Sequence, residues 1–503
     1  MSTQAIAPAA SDRRPRLLDR APRRRLLVPL VLAAAFLATH GVAQAVTPFI
    51  RQDDWGFLLP EGTPGAVPPS YYNLSEGRWL NSAWWWLVGQ HGTPTTAALT
   101  YAAAYLALVA GVWRLVHGAG VRPRPAVDAV LGVALFASCV WVQLLYWPGA
   151  LTPSVLVAAA AVWLLPRAAR SGRGLGLWLV VSGVVAVLTY PPVAVVLLVL
   201  AVLHLRRAPW RRVLLVVVGW VVGFAGGVGV AYSLNWVVNG HFGIQLASWR
   251  QANPGTSLDA IVTNLGRWLE AVGTLWASQW WVAAVGVVSA VLGWRDAVVR
   301  PRLQRLLLAF AVALGIDLAQ ALATGLVTEA RGQLWTWLVG VLPAALLLLR
   351  GRPAEAAGGR TWSDGAGTSA SWPRLVAPAL LVVLAVGGVL SWRADIGEHQ
   401  ATRMQYAALA KQATAHAPGT PAPTVVIYQI PAEKDTRSGR LMASTLFMAV
   451  RPEQGDVVPR WCVGLECQQI AARAASGPVV RLGAVRPGVN LVAIIVPTPP
   501  SWI

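Results

Sequence analysis

The chain has 503 residues, of which 56% are hydrophobic and 12% charged, with a mean hydropathy of +0.54. A soluble domain carries roughly 25% charged residues, so the composition excludes a soluble globule and points to a polytopic membrane protein. The formal net charge of +20 comes mostly from arginines in short clusters between apolar runs, a mark of membrane orientation, and no nucleic-acid partner is expected.

Residues 1–25 are rich in Arg and Pro and read as a disordered cytoplasmic tail. The apolar run 26–50 follows. "RRR" before it and Ala43-Gln44-Ala45 within it fit a signal peptide. The run continues past that site, however, and about 20 residues suffice to cross a bilayer, so we read an uncleaved first span. Ten more are expected at 94–116, 126–146, 150–165, 174–189, 191–204, 213–238, 281–294, 306–326, 334–349 and 375–392. "TYPP" at 189–192 separates two short runs that one kinked helix could also accommodate. Basic flanks on both outer sides, "PRAARSGRG" and "HLRRAPWRR", favour a hairpin of two crossings. The expected fold class is therefore an α-helical polytopic membrane protein of about eleven transmembrane helices.

With the N-terminus inside, the cytoplasmic segments hold 25 of the 41 Lys and Arg, and the external loops hold only Arg51, Arg78, Arg250, Arg267 and Arg331. That skew places the loops 51–93 and 239–280 outside a cytoplasmic membrane. The core runs over 26–350, a Gly/Ala/Ser-rich cytoplasmic loop over 351–374, the last span over 375–392, and an extracytoplasmic domain over 393–503. This domain reads as small and α/β. "TVVIYQI", "PVVRLGAV" and "NLVAIIVP" are β-branched runs bounded by Pro and Gly, and a helix is expected around 400–413. Cys462 and Cys467, outside the cell and close in sequence, are expected to form a disulfide. A zinc pair would need a second ligand pair that is not nearby.

The external face is more structured than simple turns require. Loop 51–93 holds "IRQDDWGFL", a Pro/Gly-rich stretch, and a short helix carrying Arg78, Trp79, Trp84, Trp85 and Trp86 that suits the interface. Loop 239–280 holds "TSLDAIVTNLGRWLEAVGTLW", capped by Thr256 or Ser257, with Leu258, Ile261, Val262, Leu265, Trp268 and Leu269 at helical spacing. A third segment, "TEARGQ", covers 328–333. Interfacial helices with a few isolated charges suit an enzyme acting on a lipid-linked substrate. Such an enzyme needs a carboxylate to activate a hydroxyl and cations for a phosphate leaving group.

Asp53-Asp54 at the outer end of the first span, then an interfacial helix with Gly77-Arg78-Trp79, then many spans, resembles the GT-C glycosyltransferases. The pattern is closest to the phage-type O-antigen glucosyltransferases and the mycobacterial cell-wall arabinofuranosyltransferases. The resemblance covers 26–392, and the Pro-rich insertion between the two motifs is longer than the pattern has. It implies a GT-C fold and an essential acid in the first external loop. The implied reaction transfers a sugar from a polyprenyl-phosphate donor to a cell-envelope glycan or glycolipid acceptor.

Asp53 and Asp54 are neighbours and cannot share a helical face. One, with Asp53 preferred, is the candidate general base. The other positions the acceptor or holds a divalent cation, magnesium or manganese; the residues require no other cofactor. The bland alternative is two solvated loop acids. Arg78, Arg250 and Arg331 are candidate ligands of the donor phosphate, although Arg78 equally suits a snorkelling interfacial residue. Tyr190 could hydrogen-bond the phosphate or simply pack the turn. Arg267 is expected to pair with Glu270. His40 and Asp317 are the deepest ionisable groups, and their depths permit a mutual, structural contact. Two other classes stay open: a transporter or flippase of a lipid-linked glycan, and a non-catalytic envelope scaffold. Usage of 39 Arg against 2 Lys fits a GC-rich genome such as an actinobacterial one.

Overall fold

A computed structural model describes residues 21–58, 70–88, 93–121, 124–205, 208–246, 252–349, 372–418, 422–430, 437–454, 459–486 and 489–497. The first apolar run is not one helix. α1 (Ala21–Ala38) stops where the Thr39 hydroxyl turns back onto the Ala35 carbonyl at 2.8 Å, and His40 takes the left-handed region (φ 62°) before α2 (Gly41–Val46). Three short helices follow, α3 (Gln52–Leu58), α4 (Tyr71–Glu76) and α5 (Trp79–Val88). α6 (Pro94–Gly118) then starts with the Thr93 hydroxyl accepting the Thr96 N–H, the usual means of satisfying a free helix-end donor.

α7 (Pro125–Phe136) ends early, and the chain re-forms as a 3-10 turn at Trp141–Tyr146, almost wholly buried. Backbone that leaves a helix inside an apolar body must find other partners. Here aromatic side chains supply them. Trp337 Nε1 donates to the Ala134 carbonyl (2.8 Å), the Tyr105 hydroxyl to that of Phe136 (2.5 Å), and Trp392 Nε1 to that of Ser138 (2.6 Å).

The remaining helices are α8 (Pro148–Ala168), α9 (Gly172–Val187), α10 (Pro191–His204), α11 (Trp210–Asn239), α12 (Leu258–Ser278), α13 (Trp280–Arg295), α14 (Arg300–Thr324), α15 (Thr336–Leu346) and α16 (Trp372–Thr414). α9 and α10 are separate helices packed on each other. α9 and α11 meet through small residues. A Cβ on Gly183 would lie 2.8 Å from the Gly223 backbone, one on Gly223 2.7 Å from the Leu179 carbonyl, and one on Gly227 2.8 Å from Val187. This is the close approach that small residues four apart allow between apolar helices. Outside that contact α11 exposes Leu214, Leu215, Val218, Val221 and Val222, an apolar surface suited to lipid.

Among the described residues, α6, α8, α11, α14 and the Leu375–Thr414 part of α16 are long and apolar enough to cross a membrane. α12 and α13, bent 85° apart, make at most a sixth span. The protein is thus a membrane-embedded helical bundle, but the expected eleven continuous spans are an overcount. The extra runs are shorter helices, and α10 and α15 are apolar because protein surrounds them, with most of their residues buried.

No break in the helix marks the boundary expected at 392–393. α16 runs unbroken for 43 residues, about 65 Å at 1.5 Å per residue, from the apolar segment into the C-terminal domain. There β1 (Thr424–Tyr428), α17 (Arg437–Gln454), β2 (Arg460–Trp461), α18 (Leu465–Ala472), β3 (Val479–Arg486) and β4 (Val489–Ile495) form a sheet of order β2-β1-β4-β3. β1 is parallel to β2 and β4, and β3 is antiparallel to β4. Alternation along β1 sends Val425 and Ile427 toward Leu409 of α16 and Leu446 of α17, and Val426 and Tyr428 toward Ile470 of α18. Cys462 and Cys467 are disulfide-bonded.

The proposed contact between His40 and Asp317 is not made. Asp317 accepts a hydrogen bond from Trp268 Nε1 at 2.8 Å, whereas His40 is exposed in the α1–α2 turn. An amphipathic helix laid along α14 brought a nearer donor.

Candidate functional site

At the end of the bundle that carries the sheet domain, the chain after α2 is folded back by Gln44. Its amide donates to the Phe49 carbonyl (2.8 Å) and accepts the Phe49 N–H (3.1 Å). This clasp brings Arg51 beside the 3-10 turn, where its N–H donates to the Tyr146 carbonyl at 2.9 Å. α3 starts at the next residue.

Asp54, fully buried, aims its carboxylate at the start of α8. Oδ2 accepts the Gly149 N–H at 2.6 Å and Oδ1 the Ala150 N–H at 2.5 Å. The first N–H groups of a helix have no partner within it and sit at the positive end of its dipole, so a carboxylate is well matched there. The approach is tight, since a Cβ at residue 149 would stand 3.0 Å from Oδ2. α5 braces the same helix end. Asn81 Nδ2 donates to the Ala150 carbonyl (2.8 Å), Trp85 Nε1 to that of Gly149 (3.2 Å), and Phe57 of α3 stacks on Trp85 at 4.2 Å.

Asp54 is therefore a helix-anchoring group. Both of its oxygens are engaged by backbone donors, and among the described residues no three His, Cys, Asp or Glu gather to hold a metal ion. Asp53 is the adjacent residue of α3, and its side chain lies outside the described residues, as does Arg250.

Three arginines from separate segments meet beside this anchor. Arg51 and Arg331 both lie against the ring of Trp147, with guanidinium carbons 4.9 and 4.2 Å from its centroid. Arg78 lies over Tyr190 at 5.0 Å. Tyr190 in turn neighbours the Arg331 segment, since a Cβ on Gly332 would be 3.7 Å from its hydroxyl. Arg78 pairs with Glu76 (3.0 Å) and Arg331 with Glu329 (2.9 Å). Tyr190 lies in the turn between α9 and α10. Burial pushes its phenol up, against the pull of Arg331 and Arg78, so the hydroxyl stays protonated and can donate. Trp147 is buried, and its Nε1–H has no hydrogen-bond partner among the described residues. Guanidiniums on aromatic faces, next to buried N–H and O–H donors, form an environment for an oxyanion.

The structure thus brings together Arg78, Tyr190 and Arg331 from the sequence-based candidates and adds Arg51 and Trp147. It adds a second group from α16. His399 stacks on Tyr146 (3.7 Å, 10°), and Tyr146 donates its hydroxyl to Asp395 Oδ2 at 2.5 Å. His399 Nε2 lies 3.3 Å from Arg51 Nη2. α17 of the sheet domain packs on α3, so this domain borders the site directly. No family model, no curated protein and no solved structure matches the chain.

Proposed function

We propose that the protein is a GT-C-like glycosyltransferase. It moves a sugar from a polyprenyl-phosphate donor to a cell-envelope glycan or glycolipid acceptor at the outer face of the cytoplasmic membrane. The observation that supports this best is the convergence of Arg51, Arg78 and Arg331, with Trp147 and Tyr190, beside the helix that carries Asp53 and Asp54. A lipid phosphate keeps its headgroup at the membrane surface and its tail in the bilayer, and a cationic aromatic cluster at the ends of apolar helices suits that anchoring.

In this reading the guanidiniums and the Tyr190 hydroxyl take up charge on the leaving phosphate, the group whose charge grows as the bond breaks. Asp53 takes the proton of the acceptor hydroxyl as that oxygen bonds to the anomeric carbon. The bond from the anomeric carbon to the phosphate oxygen breaks at the same centre, and polyprenyl phosphate departs. Asp54 holds α3 against α8 so that Asp53 is presented from an anchored element. The arginine skew supports the orientation, with the cluster outside. The test is to incubate purified full-length protein in liposomes with a radiolabelled polyprenyl-phosphate sugar and an extracted envelope-glycan acceptor. Label should pass to the acceptor with release of polyprenyl phosphate. Label that crosses the bilayer still attached to lipid would instead identify a flippase.

A further inference from the structure

Arg51 is held through both its backbone and its side chain. Its backbone N–H donates to the Tyr146 carbonyl (2.9 Å), and its guanidinium meets His399 (3.3 Å). His399 is itself held on every side. It is 1% exposed, stacks on Tyr146 at 3.7 Å, and receives the edge of Phe49 at 5.1 Å. Its Nδ1 lies 2.7 Å from the Asp395 carbonyl oxygen, which can only accept. Nδ1 therefore carries the proton, and Nε2 is the acceptor for the Arg51 Nη2–H. The Asp395 carboxylate closes the group by taking the Tyr146 hydroxyl. Arg78 and Arg331 are held by glutamates, which compete with an incoming anion for the same guanidinium. The His399 imidazole gives the Arg51 guanidinium a neutral, directional contact in addition to the attraction of the Asp395 carboxylate.

Resting on the glycosyl-transfer reading, we infer that His399 is a positioning residue that sets the Arg51 guanidinium against Trp147 to receive the donor phosphate. α16 carries His399 on the same continuous helix whose Tyr406, Leu409 and Ala410 pack the sheet. The C-terminal domain is thereby part of the anion site. A flexible arginine loses side-chain freedom on binding unless it is held beforehand, and His399 does that holding.

The test measures binding of a polyprenyl phosphate without sugar to the full-length protein in nanodiscs, by isothermal titration. His399→Phe keeps a ring on Tyr146 but removes the acceptor, and should weaken binding about tenfold, the loss expected for one hydrogen bond to a charged group. His399→Gln, which returns an acceptor oxygen near the Nε2 position, should bind within about twofold of wild type, a difference well under one hydrogen bond. Arg51→Gln should also weaken binding, and adding His399→Phe to it should cost nothing more, because the histidine acts through the arginine. Full additivity of the two losses, or wild-type binding by His399→Phe, overturns the inference while leaving the donor site intact. Absence of binding by the wild-type protein overturns the donor reading itself. Thermal melting checks folding, and His399→Leu provides the same comparison should the Phe variant not fold.

Discussion

The proposed reaction assigns different work to two adjacent carboxylates on one helix. Asp54 faces inward and closes the start of α8, where its two oxygens meet two backbone N–H groups. Asp54→Asn keeps one accepting oxygen and turns an NH2 toward the other donor. It should lower the melting temperature, with a cost of about 1–3 kcal/mol for the buried group left unpaired. Asp53→Asn should leave the melting temperature unchanged and cut transfer by roughly 10²–10⁴-fold, the worth of a general base. Parallel melting curves and transfer rates separate these outcomes, and wild-type transfer by Asp53→Asn would place the base elsewhere. The acids were legible in the sequence because two carboxylates are conspicuous after an apolar run. The anchoring contacts of Asp54 were not, since its partners are 95 and 96 residues away. Arg51 stands beside the acids in the same stretch, yet its role depends on His399, 348 residues distant. Only folding brings such groups together.

At the scale of elements, hydropathy found the apolar segments and misjudged their continuity. A run such as 126–146 is mostly apolar, but the helix stops at Phe136, where tryptophan and tyrosine donors from other segments take the freed carbonyls. Nothing in the run itself marks that break. The strand expectations fared better, as β-branched runs bounded by Pro and Gly became β1, β3 and β4. β2, with two residues, is too short to leave a pattern. The spacing of Gly219, Gly223 and Gly227 on α11 was a readable signal that lipid-facing hydropathy obscures. It matters because the backbones of α9 and α11 touch at Gly183 and Gly223. Gly223→Leu should force these helices apart at a cost of about 1–3 kcal/mol, typical of overpacking. Gly229→Leu, where a Cβ meets nothing within 4 Å, should be tolerated. Melting temperatures of both variants in one detergent check the contrast, and equal values would show that this contact does not limit stability.

For the whole molecule, the site's chemistry depends on which side of the membrane it faces. Arg51, Arg78 and Arg331 cluster at the end of the bundle where the sheet domain stands, and the short loops that join the apolar helices there hold few other arginines. The turns at the other end, such as those around Arg167 and Arg170 or Arg300 and Arg302, are rich in it. Basic residues close to apolar segments stay on the cytoplasmic side because moving them across is costly. The domain end should therefore lie outside, together with the Cys462–Cys467 disulfide, a bond that persists in an oxidising compartment. Cys139, the remaining cysteine, is first replaced by Ala. A cysteine placed in 63–70 should then react in intact cells with a membrane-impermeant thiol reagent. One placed in 366–371 should react only after permeabilisation. A single reversed pattern suffices to decide. Labelling of 366–371 alone in intact cells would put the arginine cluster in the cytoplasm. A phosphate site there would meet soluble nucleotide sugars instead of a lipid carrier displayed outside, and the proposed donor would be wrong even if every contact in the cluster were correct.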